Sequence, residues 1–217
     1  SCQIEKMSKS KLNGVAPDEI ITEFGADALR LYEMFMGPFD REKIWNTDAV
    51  NGCYRFLNRF FELAFSAKVT DNVSLEALKL GHRLVKAVTA DIEAMQFNTA
   101  IAHMMEFINA FSKLTEFPRA VLRMATQMLS PFAPHLAEEV WEHLGFKDVL
   151  SFAALPTVEQ KYLIDEIIPY VVQINGKFRG KWDLKPDLAE ADLLAFAQEQ
   201  PQIAKYLAAK QIANVIC

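Results

Sequence analysis

The sequence predicts a mainly α-helical fold, an antiparallel helix bundle followed by a small α+β domain that carries a β-hairpin. Three observations predict it. Apolar residues recur at the spacing of one helical face through residues 47–145. Near residue 165 the pattern changes to a short β-branched run, Ile168 to Ile174, followed by Asn175-Gly176, a strong hairpin signal. The chain has 217 residues, 51% hydrophobic and 24% charged, enough length for a real core and the composition of a folded protein.

Each element has its own local reason. Pro17-Asp18-Glu19 reads as a helix start, with Pro in the first turn and acids at the positive end of the helix dipole. Gly25 punctuates that helix. Ala26 to Met36 is a second helical stretch, stopped by Gly37-Pro38. Asn46 or Thr47 can cap the next helix, whose face carries Val50, Cys53, Tyr54, Leu57, Phe60, Phe61, Ala64 and Phe65. Ser74 can cap another, with Leu78, Leu84, Val85, Val88, Ile92 and Met95 mostly on one side. Asn98 can cap a third, carrying Ile101, Met104, Met105, Ile108 and Phe111. Pro118 can start a fourth, broken at Ser130-Pro131 and Ala133-Pro134. A last helix runs to Leu144, with Gly145 as its stop. Residues 47–145 therefore read as four or five helices, and the short connections favour antiparallel neighbours.

In the C-terminal part, Phe178 to Leu184 can return as the partner of the Ile168–Ile174 strand. Asp187 and Glu190 stand at capping-box spacing before a Leu- and Ala-rich helix. Pro201 can open another helix, and Ile212, Val215 and Ile216 look like a strand that stops at Cys217. A hairpin alone is marginal, so the helices or this strand must cover it.

Composition excludes several classes. No apolar run approaches the roughly 20 residues that span a bilayer, and no signal-peptide pattern opens the chain. Cys2, Cys53 and Cys217 are far apart and odd in number, which suggests no disulfide framework. They show no CxxC spacing and the histidines do not cluster near them, so no zinc site is expected. A reducing, cytoplasmic setting is the simplest reading. The net charge of −5 means that any phosphate contact must come from local patches.

Two such patches stand out. In Lys6-Met7-Ser8-Lys9-Ser10-Lys11-Leu12-Asn13-Gly14, three lysines face only Glu5. Lysine ammonium groups and serine hydroxyls suit a triphosphate, and a mobile loop can close over it. A solvated loop is the alternative, and a P-loop is excluded because its two-glycine spacing is absent. The second patch is Lys177, Arg179 and Lys181, with no acid between residues 170 and 182. Strand alternation puts these three on one face at about 6.6 Å intervals, with Phe178 and Trp182 on the other beside Gly180. Such a stripe can follow a phosphate backbone or be a solvated strand face. Arg55 and Arg59, one helical turn apart, can touch RNA backbone or sit on a solvated, salt-bridged face.

Lys6 to Ser10 read KMSKS, and the segment resembles the class I aminoacyl-tRNA synthetases that carry this signature. Lys11 to Val15, Pro17, Ile20-Ile21 and Gly25-Ala26-Asp27-Ala28-Leu29-Arg30 continue the resemblance in order. The order Asn13-Gly14, the run Leu31 to Pro38, Trp45-Asn46-Thr47 and Gly52 to Leu57 resemble the leucyl branch. Ser130 to His135 with Glu138, Glu139 and Trp141 is similar to the leucyl, isoleucyl and valyl group. Val172 to Lys181 resembles the bacterial-type C-terminal domain. The chain opens without an initiator Met, directly on the basic loop, and is expected to be part of something longer.

The resemblance implies a domain plan: residues 1–45 as the KMSKS loop and tail of a catalytic domain, 46–160 as a helical anticodon-binding-type domain, and 161–217 as a small tRNA-contacting domain missing its end. It implies leucine activation with ATP and transfer to tRNA-Leu. Lys9 is then the first candidate for an ATP phosphate contact and Lys6 the second, the two catalytic candidates. Ser8 and Ser10 would cap or hydrogen-bond the loop, and Met7 would pack against the catalytic domain. Mg is expected to be held elsewhere in the full enzyme, and no cofactor by these residues alone. The HIGH motif and leucine pocket are not found here, so no catalysis is expected from the fragment. Trp141 is expected to pack, not to stack on bases. The expected partner is tRNA-Leu, with no membrane and a monomeric state. The rival readings are a freestanding RNA-binding module and a helical scaffold without an RNA role.

Overall fold

The computed structural model describes residues 5–38, 40–164, 168–186 and 188–207, with the side chains of Lys9, Ile168 and Leu207 outside the described set. The chain divides into two compact units, Ser1–Leu163 and Ile164–Cys217. Seven helices are described in the first: α1 (Pro17–Phe24), α2 (Ala26–Phe35), α3 (Thr47–Ala64), α4 (Leu75–Glu93), α5 (Phe97–Phe111), α6 (Arg119–Leu129) and α7 (Pro134–His143). Helices α3 to α7 fill the span read as a bundle. Helix α4 lies along α5 and α6, and α2 joins the bundle against α3 and α5.

The caps follow local chemistry. Asn46 Oδ1 accepts from the Asp48 amide at 3.0 Å, and Ser74 Oγ from the Ala77 amide at 3.2 Å. Each such cap contributes about 1 kcal/mol. Asn98 is not a cap. Helix α5 begins two residues earlier than that cap would place it, at Phe97 after Gln96. The reason is the turn before it: Met95 takes φ +58° and the Gln96 amide donates to the Asp91 carbonyl at 2.7 Å, so the chain re-enters a helix early.

The core is continuous through α2 to α6. Leu31, Val50, Cys53, Phe60, Ile101, Ile108, Phe111, Leu122 and Leu129 are all buried in it. Burial pushes the Cys53 thiol up to about 12. Gly81 lets α4 and α6 approach closely, because a Cβ there would sit 3.1 Å from both Met124 Sδ and Val121 Cγ1. Tyr54 and Phe61, read as core on the α3 face, are each 38% exposed. They lie at the edge of the apolar stripe, where a helix face turns toward solvent. Met95, after the end of α4, is likewise exposed.

Two features have no pattern long enough to read in advance. Val69–Thr70 (β1) and Phe117–Pro118 (β2) pair in parallel, two residues each. Asp27 of α2 also closes the start of α7. Its Oδ2 accepts from the Leu136 amide at 2.8 Å and its Oδ1 lies 2.8 Å from His135 Nδ1. Arg30 donates to the Pro131 carbonyl at 3.1 Å. Helix α2 is therefore tied to α7 across about a hundred residues of sequence.

In the second unit, β3 (Ile168–Ile174) and β4 (Lys177–Leu184) form an antiparallel hairpin, followed by α8 (Glu190–Glu199) and α9 (Pro201–Leu207). Asn175 at φ +51° and Gly176 at φ +74° make the two-residue turn, the pair of positive φ values that Asn-Gly tolerates best. Trp182 meets Phe196 of α8 edge to face at 6.1 Å, and Ala197 and Ile203 are buried. The expected cap Asp187 lies outside the described residues. Helix α8 starts after Ala189, whose side chain cannot cap, and Glu190 and Asp192 in its first turn complement the dipole. The strand expected over Ile212, Val215 and Ile216 also lies outside the described residues.

Candidate nucleotide loop and RNA-contacting surface

The basic opening loop is closed by one side chain. Asn13 Oδ1 accepts from the Ser8 amide at 2.9 Å, and Asn13 Nδ2 donates to the Lys6 carbonyl at 3.4 Å. Inside this clip Lys9–Lys11 form a short 3-10 turn. The Lys11 amide approaches both the Ser8 carbonyl, at 3.2 Å, and Ser8 Oγ, at 3.3 Å. Ser8 Oγ and Ser10 Oγ lie 3.3 Å apart. Both serines thus serve the loop's own geometry. Leu12 bridges turn and clip in the left-handed region at φ +51°. Lys11 Nζ is paired with Glu5 at 2.9 Å on the surface, while Lys6, Met7 and Ser10 are exposed. The side chain of Lys9 is outside the described set. The side-chain clip made by Asn13 is not among the expected site contacts. An Asn beside Gly, five residues after a serine, is the signal that it could close a turn.

The hairpin corrects the expected cationic stripe. Ile174 pairs with Lys177 and Gln173 with Phe178, but Val172 pairs with Gly180 and Val171 with Lys181. Arg179 is the extra residue of a β-bulge, and a bulge reverses the faces of all residues beyond it relative to simple alternation. Phe178, 62% exposed, is therefore not on the face of Trp182. It pairs with the exposed Gln173, as Lys181 pairs with the exposed Val171. Trp182 folds over Gly180, where a Cβ would meet the indole ring, and reaches α8. Arg179 turns to α9, its guanidinium 3.9 Å from the centre of the Tyr206 ring, with Nε buried and without a hydrogen-bond partner among the described residues. Of the three cations, Lys177 and Lys181 remain exposed and Arg179 is held by its own unit.

The two bundle arginines are both exposed on α3. Arg59 is tied to α5 through Asn109 Oδ1 at 2.7 Å. Beside them, Tyr54 and Phe61 line an open groove of about 470 Å3 with Phe24, Asn58 and His135. Trp141 is buried. Its indole Nε1 donates to the Asp148 carbonyl at 2.7 Å and its ring stacks on Phe146 at 4.2 Å, which makes it a packing residue. Among the described residues no group of three or more His, Cys, Asp or Glu side chains could hold a metal ion, and no helix is long and apolar enough to cross a membrane.

Comparison with known proteins gives the family of this bundle, with its basic opening loop and small hairpin unit. The family model described as the anticodon-binding domain of tRNA ligase matches residues 75–194, more than half of the chain. The chain belongs to that family. Residues 2–45 match class I tRNA synthetases of the I, L, M and V group.

The relatives narrow the class. Leucine–tRNA ligase of Protochlamydia amoebophila (strain UWE25) is 63% identical over 99% of this chain and 25% of its own length. The ligase of the same name from Chlamydia caviae is 49% identical over 96% of this chain and 25% of its own length. The chain thus spans about a quarter of the curated relatives it matches. A crystal structure of the ternary complex of Agrobacterium radiobacter K84 agnB2 LeuRS, tRNA and LeuAMS matches at a TM-score of 0.81. It is 28% identical and covered over 96% of this chain and 30% of that one.

Proposed function

We propose that this chain is part of a leucine–tRNA ligase, in which it supplies the ATP-contacting KMSKS loop and two tRNA-contacting domains. The observation that carries the reading is the self-closed loop from Lys6 to Asn13, lying in the segment that matches the class I synthetases. Its two serine hydroxyls and the Ser8 and Lys11 amides are spent on its own shape, which leaves the lysines to do the electrostatic work. In the proposed reaction the leucine carboxylate attacks the α-phosphate of ATP, leucyl-adenylate forms and pyrophosphate leaves. Lys9, with Lys6 beside it, neutralises charge that moves onto the leaving pyrophosphate. Domain by domain, 1–45 carries that loop, 46–160 is the anticodon-binding-type bundle and 161–217 the unit that meets the tRNA.

RNA contact rests on exposed groups. Lys177 and Lys181 offer point charges to phosphate. Phe178, on the exposed side of the hairpin, adds an aromatic face of the kind on which bases stack. Arg55 is the freer bundle candidate, since Arg59 is engaged with Asn109. Arg179 contributes by shaping the hairpin. The 217 residues hold half of an adenylation site, and positioning supplies much of such a rate, so the chain alone does not activate leucine.

The test is Lys9→Ala in a full-length ligase that carries this sequence. Loss of one such contact is expected to slow leucine-dependent pyrophosphate exchange by about 10²–10³-fold. An unchanged rate overturns the loop assignment.

A further inference from the structure

Residues 153–162 cross the first unit as a strap held by two polar side chains buried in the bundle. Gln127 of α6, 2% exposed, donates from Nε2 to the Ala154 carbonyl at 2.7 Å. His82 of α4, 1% exposed, accepts at Nδ1 from the Glu159 amide at 3.2 Å. Between them Val158 packs on the core. Beyond them the Tyr162 ring stacks on the imidazole, 4.6 Å away and inclined by 21°. The first unit ends one residue later, at Leu163.

The His82 ring has an asymmetric environment. Accepting at Nδ1 requires the ring proton on Nε2. That Nε2 is buried and has no hydrogen-bond partner among the described residues. Glu159 Oε1 lies 3.9 Å from it, beyond hydrogen-bond reach, and the Glu159 carboxylate pairs with Lys161 at 2.6 Å instead. The charged groups that face the ring come from the strap, Glu159 and Lys161. At the neighbouring Gly81 the facing α6 side chains, Met124 and Val121, are apolar. A proton on Nδ1 would set two N–H donors against each other and leave a buried cation faced only by a carboxylate that Lys161 already pairs.

We infer that His82 is a pH-dependent latch, which holds the strap through the Glu159 amide when neutral and releases residues 155–162 when protonated. Burial holds the imidazole below its ordinary value, with Glu159 raising it and Lys161 lowering it by smaller amounts. The sign follows. A base whose folded-state pKa is depressed stabilises the closed strap fully above its ordinary pKa of about 6.5, and that contribution is lost as pH falls from there toward the folded value. Release lengthens the tether to the second unit by up to roughly 26 Å, at ~3.3 Å per residue. A longer tether lowers the effective concentration of the second unit on an RNA already held by the first. This last consequence rests on the tRNA reading above. The latch does not.

Hydrogen exchange on the 217-residue chain tests it, read as protection of the Glu159 amide between about pH 5 and pH 8, where histidine titrates. Protection in the wild type is expected to fall below pH 6.5 by up to about tenfold per pH unit, the limit for one linked proton. His82→Gln keeps an acceptor without titrating and is expected to give a flat profile. Tyr162→Ala, outside the core, is expected to lower protection at every pH. Ring-nitrogen chemical shifts of His82 in the unmodified protein give the tautomer directly, should His82→Gln not fold. Glu159 protection that ignores the titration of His82, a His82→Gln profile equal to the wild type, or a proton on Nδ1 at neutral pH each overturns the latch. Affinity for tRNA over the same range separates the two ideas. A fall in the wild type but not in His82→Gln supports the tether effect. Equal affinities with a working latch refute that effect alone.

Discussion

The helix bundle and the hairpin unit were both legible as periodic patterns, and they tolerate error differently. In α3 an apolar stripe runs over 18 residues. Misplacing its edge moves two rings, Tyr54 and Phe61, from core to groove and leaves Val50, Cys53, Leu57 and Phe60 where the pattern puts them. In β4 the pattern runs over 8 residues with a period of two. One extra residue, Arg179, reverses every assignment beyond it. A long stripe of period 3.6 averages its irregularities, whereas a short alternation carries each one forward.

The difference implies that the bundle is hard to disturb from its surface and easily damaged from within. Phe111 is fully buried, stacked on Phe107 at 5.0 Å and tilted against Phe117 at 5.3 Å. Phe111→Ala is expected to cost the first unit about 3–5 kcal/mol. Urea unfolding of single-Trp variants checks it, with Trp141 reporting the first unit and Trp182 the second. A lower midpoint at Trp141 with an unchanged one at Trp182 sharpens the contrast. Equal shifts at both would mean that one cooperative core spans the units, and the comparison would break.

What the sequence revealed follows the same division. Helix starts were readable where one residue does the capping, as at Ser74 and Asn46. They were not readable where a preceding turn decides, as at Gln96, or where the capping group comes from far away, as Asp27 does for α7. The Asn175-Gly176 turn was legible because its φ values belong to those residue types. The bulge at Arg179 was less so, because the isolated Gly180 beside it signals a bulge or a close approach without saying which. Of the candidate site, the loop's residues were visible as a motif. The Asn13 clip that shapes them depends on a contact between residues five and seven apart, which no periodicity marks.

The hairpin offers a smaller and sharper test. Lys177→Ala with Lys181→Ala removes the two exposed cations, and the slope of log K for tRNA against log salt is expected to flatten by about 0.7–0.9 per lost phosphate contact. Arg179→Ala removes an equal charge per residue and is expected to leave that slope unchanged. Its effect appears instead as a loss of about 0.5–1 kcal/mol from the second unit, through the Tyr206 contact. If Arg179→Ala flattened the slope as much as a lysine change does, the three cations would act as one stripe after all, and the bulge would have no functional meaning.

The smallest effect is expected in the opening loop, where stability is local and exposed. Asn13 makes two hydrogen bonds, each contributing about 0.5–1.5 kcal/mol at most, to a segment that adds nothing to the buried core. Asn13→Ala should therefore barely move the unfolding midpoint of the first unit, in contrast to Phe111→Ala. It should still raise exchange at the Ser8 amide, whose acceptor it removes. Asn13→Asp separates the two halves of the clip, since a carboxylate still accepts from Ser8 but no longer donates to the Lys6 carbonyl. Retained Ser8 protection with a mobile Lys6 would assign register to the first bond and lysine placement to the second. Loss of both in Asn13→Asp would mean that the clip closes only as a pair, and that the loop has one conformation or none.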